Sequence, residues 1–401
     1  MHGALRLGRL FGIEIAIDWS WAFIFLLMSW NLTEVFLRWH PEWSLGTSFV
    51  LAVIAALLFF GSVLAHELAH SLVARRFGVR VREIRLFLFG GVSNLEGEPP
   101  SPGAELWTAI VGPIVSFAIG IVLTVIASAM MPIAVDPASP WDSVAALGPF
   151  GTLLFWLGPI NILVGAFNMI PGFPLDGGRI LRAALWRATG NLQKATLASS
   201  IIGRGIGWVF IVIGIAMVFG ARIPFFGQGP VSGIWLAFIG WFLSSAAQQS
   251  YGAMVVHDVL EGVRISDLMR RSGPAVPAST SVATVVDEWF MRSSDRSFPV
   301  LDGEGRLLGL VCIGDVSRLP QNTWDRTTVS AIMTPRERLA VADANDAAMS
   351  ALRKFAERDV EQLPVVDAND RLVGMLTRSA IARWLEIHVG AATRLGTPHP
   401  A

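Results

Sequence analysis

The run Gly61-Ser62-Val63-Leu64-Ala65-His66-Glu67-Leu68-Ala69-His70-Ser71-Leu72-Val73 sets three ionisable side chains inside an apolar stretch. In a helix, His66 and His70 share one face a turn apart, so two imidazoles can grip one metal ion. Glu67, between them, can reach a water held there. Each such group in an apolar span costs about 3 kcal/mol, and groups of this kind mark functional sites. The alternative is a helix end carrying two exposed histidines.

A catalytic zinc usually takes three protein ligands. No other histidine suits: His2 is terminal, His40 falls at the far end of the spans, and His257, His388 and His399 lie in a polar tail. The best carboxylate is Asp176, in Asn168-Met169-Ile170-Pro171-Gly172-Phe173-Pro174-Leu175-Asp176-Gly177-Gly178-Arg179. There a span breaks at Pro171 and Gly172 and restarts after Pro174, and unwound backbone at membrane depth implies a cavity. Asp176 shares the depth of His66 and His70. Taken alone, it also reads as the N-cap of a helix starting near Gly178. The single cysteine, Cys312, excludes a disulfide framework and leaves a metal site to His and carboxylates.

The elements that must hold these groups follow from composition. The chain has 401 residues, 53% hydrophobic and 15% charged, where a soluble domain runs about 25% charged. Residues 1–251 carry 14 basic and 12 acidic side chains and 12 of the 15 Trp, whereas 252–401 carry 17 and 19 charges of ordinary soluble proportion. Zero net charge without a basic run excludes nucleic acid as a partner. Six stretches are long enough to cross about 30 Å of hydrocarbon: 19–37, 48–73, 107–131, 145–167, 198–219 and 231–248. The fold class is thus a polytopic α-helical membrane protein with a small membrane-associated β-segment and an α/β tail.

Ile13 to Asp18 alternates as a strand does and does not read as a cleavable signal core. Val79 to Phe89 alternates too, followed by Gly90-Gly91-Val92-Ser93-Asn94, so strands near the membrane face are expected. An exposed strand edge there can pair with an extended peptide. Eleven basic residues (Arg6, Arg9, Arg75 to Arg85, Arg179 to Lys194) fall on one side against Arg38 and Arg222 on the other. The bias puts both termini and the tail in the cytoplasm of a multi-pass protein of the cell membrane.

The expected domains are 1–251 in the membrane, a linker over 252–261, repeats over 262–320 and 327–388, and a flexible tail over 389–401. The repeats echo at offsets of about 64: Ile265 to Met269 with Val329 to Met333, Phe298 to Asp302 with Leu363 to Asp367, and Gly309 to Val311 with Gly374 to Leu376.

Residues 1–251 resemble the site-2 protease family of intramembrane zinc metalloproteases, through His66 to His70, Gly90-Gly91-Val92, Gly112-Pro113 and Asn168 to Gly178. The resemblance implies one zinc per chain on His66, His70 and Asp176, Glu67 as catalytic base, and support from Asn168, Gly90 and Gly91. It also implies a single-span membrane protein as substrate, such as an anti-sigma factor or membrane-tethered regulator, cut in or near its transmembrane segment. The tail resembles a tandem pair of CBS domains, which implies an adenine nucleotide in a cleft between repeats. The matching polar positions are Asp315, which would hold its ribose, and Thr377, each repeat keeping half of a Ser/Thr–Asp pair. Dimerisation of two chains through this pair, or scaffolding, is the alternative role. The rival function is a CBS-gated transporter or channel, which gives no reason for a glutamate at position 67.

Overall fold

The computed structural model describes residues 5–131, 144–223, 227, 229–271 and 273–395. The chain divides into two compact units, residues 1–252 and 253–401.

The first unit begins with strands β1 (Leu5–Leu10) and β2 (Ile13–Ile17), followed by helices α1 (Trp19–Trp39) and α2 (Leu45–Arg76). Strands β3 (Arg80–Phe87) and β4 (Gly90–Glu96) come next. Helices α3 (Pro102–Ala129), α4 (Pro149–Asn168), α5 (Asp176–Thr189) and α6 (Leu192–Val218) follow, and α7 (Pro230–Leu260) starts in the first unit and ends in the second. Among the described residues, α1, α2, α3, α4, α6 and α7 are long and apolar enough to cross a membrane, one for each expected span. Their starts are chemically marked. Asp18 accepts a hydrogen bond from the Ser20 amide, Ser44 from that of Thr47 and Ser101 from that of Ala104, each satisfying a first-turn N–H that the helix leaves free. Outward faces keep large apolar chains such as Phe23, Trp30, Val125 and Phe219 exposed, which suits contact with lipid.

The strands expected from Ile13 and from Val79 form one sheet with β1, which the sequence reading did not single out, in the order β1-β2-β3-β4. The β2–β3 pair is parallel, Ile15 opposite Ile84, and buries Ile13, Ile15, Ile84 and Leu86 on one face. Strand β4 pairs antiparallel with β3 and lies at the sheet edge. Its outer row of backbone groups is the edge anticipated for peptide pairing.

The second unit holds a four-stranded and a three-stranded sheet. Strands β5 (Val276–Pro277), β6 (Ser297–Leu301) and β7 (Leu307–Cys312) belong to the first repeat. Strands β8 (Thr334–Pro335), β9 (Ala342–Asp343), β10 (Gln362–Val366) and β11 (Leu372–Thr377) belong to the second. The repeats exchange their leading segments. Ile265 packs in the core under β10 and β11 with Phe355 and Leu363, whereas its echo Val329 packs with Phe298 and Val311 under β6 and β7. Arg270 bridges to Met375, and Thr334 pairs with Leu310. A division at residue 320 therefore separates sequence repeats but not packed cores. Residues 252–260, expected as linker, continue α7 as helix, and Leu260 is buried in the core with Ile265. The last helix runs over Arg378–Leu395, so much of the segment expected as a flexible tail is helical, and 396–401 lie outside the described residues.

Candidate metal centre

His66 and His70 project from one face of α2, their Nε2 atoms 3.0 Å apart. The seven residues between α4 and α5 return the chain so that Asp176 Oδ2 lies 3.1 Å from Nε2 of His66 and 3.2 Å from Nε2 of His70. All three side chains are buried. Asp176 is the first residue of α5, and Leu175 holds the cap position without a side-chain bond. The N-cap alternative therefore fails: the carboxylate turns to the histidines instead of to its own helix.

The Nδ1 atoms are held by α3. Nδ1 of His70 lies 2.5 Å from the carbonyl oxygen of Thr108, and Nδ1 of His66 lies 2.9 Å from Oγ of Ser116. A carbonyl only accepts, so Nδ1 of His70 carries a proton, and Nε2 is the nitrogen left to offer a lone pair to a metal. Nε2 faces the Asp176 carboxylate, which accepts only, so in the metal-binding form both are acceptors. Acceptors gathered at such distances call for a cation between them, and two imidazoles with one carboxylate match zinc's preference for N and O donors. The residues present fit the metal.

Glu67 points to the edge strand. Oγ of Ser93 on β4 donates to Oε2 of Glu67 at 2.7 Å, and Oγ of Ser71 donates to Ser93 at 3.1 Å. Gly91 faces the same side chain so closely that a Cβ there would overlap Cγ of Glu67. A cavity of about 300 Å³ opens on these groups, lined by His66, Glu67, Gly90, Gly91 and Asn168 among aromatic neighbours Phe89, Trp235 and Phe242. Asn168 lines the cavity while its Nδ2 donates to the Val164 carbonyl at 3.0 Å in the last turn of α4.

Sequence reasoning singled out Gly112 but missed the polar groups on α3. Glu105, Thr108 and Ser116 recur with Gly112 at spacings of three and four, which places them along one stripe of that helix. Polar residues on one stripe of an apolar helix are the signal that was available.

In the second unit, Asp315 and Thr377 occupy equivalent helix starts and act locally. Asp315 accepts from the Cys312 amide at 2.9 Å, and Oγ1 of Thr377 accepts from the Ala380 amide at 3.1 Å. A cleft of about 350 Å³ is lined by Ser297, Cys312, Gly314, Asp359 and Gln362, and neither Asp315 nor Thr377 is in its lining. Burial and then the nearby Asp315 charge push the Cys312 thiol up to about 11, against an opposing hydrogen bond with Ser297.

Residues 54–213 match Peptidase family M50, and residues 265–322 and 329–387 each match the CBS domain. A Synechocystis protein named as a zinc metalloprotease is 32% identical over 96% of this chain and 96% of its own length. A Mycobacterium tuberculosis protein, also named as a zinc metalloprotease, is 31% identical over 100% of this chain and 96% of its own. A solved site-2 protease from Methanocaldococcus jannaschii aligns at 29% identity and a TM-score of 0.42, over 62% of this chain and 95% of that one. With two named motifs of one membrane unit meeting at a single cluster, and full-length relatives at this identity, the chain belongs to peptidase family M50, as a multi-pass zinc metallopeptidase of the site-2 protease type with a C-terminal CBS pair.

Proposed function

We propose that the protein cuts a peptide bond in or near the transmembrane segment of a single-span membrane protein, such as an anti-sigma factor or membrane-tethered regulator. One zinc per chain is held by His66, His70 and Asp176. The observation that carries this reading is the convergence of Nε2, Nε2 and Oδ2 within 3.2 Å of one another, with the His70 tautomer fixed by the Thr108 carbonyl. A bound zinc supplies Lewis acidity to the scissile carbonyl and to water.

The remaining work falls to side chains and backbone. Glu67 accepts the proton of the attacking water and delivers it to the departing amine nitrogen. Ser93 holds the glutamate on the strand side of the cavity. An intact substrate helix has no free backbone carbonyl to offer, so the substrate must unwind, and the free edge of β4 takes up the extended stretch. Asn168 lines the path beside the reacting groups.

The charge bias of the connecting segments supports a cytoplasmic site, cytoplasmic termini and a cytoplasmic CBS pair in the cell membrane. The CBS pair modulates cleavage, through an adenine nucleotide or by pairing two chains. Family membership displaces the CBS-gated transporter reading.

The test is zinc analysis of the purified chain together with cleavage of a panel of single-span substrates. The His66→Ala, His70→Ala double variant should lose both metal and cleavage. Glu67→Gln should keep zinc and lose cleavage by at least about 100-fold. Full zinc occupancy in the double variant would end the ligand assignment, and near wild-type cleavage by Glu67→Gln would end the base assignment.

A further inference from the structure

The first unit carries a second buried charged cluster that the zinc chemistry does not use. Glu105 on α3 is fully buried, and Arg182 on α5 is nearly so. Nε of Arg182 donates to Oε1 of Glu105 at 2.6 Å, its Nη2 contacts the same oxygen, and Nη2 also lies 3.3 Å from Oε2 of Glu98. Arg179, a turn earlier on α5, is 3.9 Å from Glu105. The Arg182 guanidinium stands 5.3 Å from the ring centroid of Phe173, in the segment that leads into Asp176. One arginine thus ties together α3, α5 and the loop before α5.

The geometry points to Glu105 and Arg182 as a positioning pair for the metal centre: the pair fixes α5 against α3 so that Asp176 meets His66 and His70. This rests on the zinc-ligand reading above. Helix α3 is the shared reference for both sets of ligands. That helix already sets the histidines, through the Thr108 carbonyl and the Ser116 hydroxyl. Asp176 comes from a different helix and makes no cap bond that would orient it. Three residues before Thr108, Glu105 grips α5 about a turn and a half beyond Asp176. Histidines and carboxylate are thereby referenced to one stripe of one helix. A buried ion pair is a poor source of net stability, because desolvation offsets most of the attraction, but its directional bonds define one register between two helices. Groups bonded directly to metal ligands govern metal affinity by about 10- to 100-fold, which bounds the effect of a pair acting one step further out.

The experiment uses the full chain in detergent micelles or nanodiscs, with three readouts: zinc affinity by chelator competition, melting of the metal-free protein, and kcat and KM on one cleaved substrate. The variants are Arg182→Lys, which keeps the charge but loses the fork, and the apolar double Glu105→Leu, Arg182→Met, which removes both charges together. We expect the double variant to melt like wild type without metal, bind zinc more weakly by up to about 100-fold and lose kcat with little change in KM. Arg182→Lys should lose zinc affinity by a smaller factor, and it decides the matter if the double variant does not fold. Wild-type zinc affinity in a folded double variant, or in Arg182→Lys when the double fails, overturns the proposal. The His66→Ala, His70→Ala variant runs alongside. If it binds zinc normally, the ligand assignment is what fails; if it loses zinc while the Glu105 and Arg182 variants do not, only the positioning role fails.

Discussion

Gly112 of α3 and His70 of α2 approach so closely that a Cβ on Gly112 would occupy the space of the His70 Nε2 atom, with Nε2 of His66 next in line. The histidine pair therefore has backbone, not a side chain, as its rear wall. Gly112→Ala should force both rings from the shared position and cut zinc affinity by at least about 10-fold, with cleavage falling in step. Gly205→Ala on α6, where a Cβ meets nothing within 4 Å, is the matched control and should leave both unchanged. Metal analysis of the two variants settles the matter, and equal zinc content would remove Gly112 from the site.

The Ser93 hydroxyl joins the strand edge to the glutamate, with 2.7 Å between Oγ and Oε2. Loss of one charge-assisted bond costs about 1.5–3 kcal/mol, equivalent to roughly 10- to 150-fold. Ser93→Ala should therefore lower kcat within that range while zinc content stays at the wild-type level, and Ser93→Thr should restore most of the loss. A Ser93→Ala variant with unchanged kcat would show that Glu67 needs no such support.

How much of this was legible beforehand depended on which physical signal each feature carries. His66, Glu67 and His70 stood out because ionisable residues are conspicuous in an apolar span, and Asp176 stood out by matching their depth. The conformation of Asp176 was not legible, since an aspartate before two glycines suits an N-cap equally well, and only the assembled helices decide between cap and cluster. Thr108 acts through its carbonyl, a group every residue has, so residue type gave no hint. Glu105 and Arg182 meet across 77 positions, a pairing no local pattern encodes. In the tail, the echo of Ile265 in Val329 revealed two copies but not that each copy's leading segment packs under the other's sheet.

Cys312 offers a probe of the second unit. Its thiol is raised from 9.0 to about 11, chiefly by burial. Between those values the folded chain keeps a proton that an unfolded chain has released. Any stabilisation from this group is complete below pH 9 and is lost as pH rises through about 11. At pH 8 the thiolate fraction, and with it alkylation by iodoacetamide, should be about 100-fold lower in the folded chain than in denaturant. The pH profile of alkylation should reach its midpoint near 11. A midpoint at or below 9 would mean that Cys312 sits in a more polar environment than its neighbours provide.

Control by the CBS pair is tested at Asp315. Its carboxylate already takes the Cys312 amide proton through Oδ2, which leaves Oδ1, 3.9 Å from Arg318, as the oxygen for a ribose hydroxyl. The second repeat has Ala380 at the equivalent place, so at most one nucleotide per chain should bind. Asp315→Asn keeps a carbonyl oxygen for the amide cap but loses the charge and one acceptor, so binding should weaken without loss of the local fold. A nucleotide coupled to proteolysis should change cleavage by roughly 5- to 150-fold, the usual 1–3 kcal/mol between linked sites. The measurements are titration of AMP and ATP into the full chain, followed by cleavage with and without nucleotide for wild type, Asp315→Asn and a chain ending near Gly252, where the first unit closes. Wild type should respond, Asp315→Asn should need at least about 10-fold more nucleotide, and the shortened chain should ignore it. If no nucleotide binds and the shortened chain cleaves as the full chain does, the CBS pair serves as a scaffold, and control of the protease lies with substrate supply.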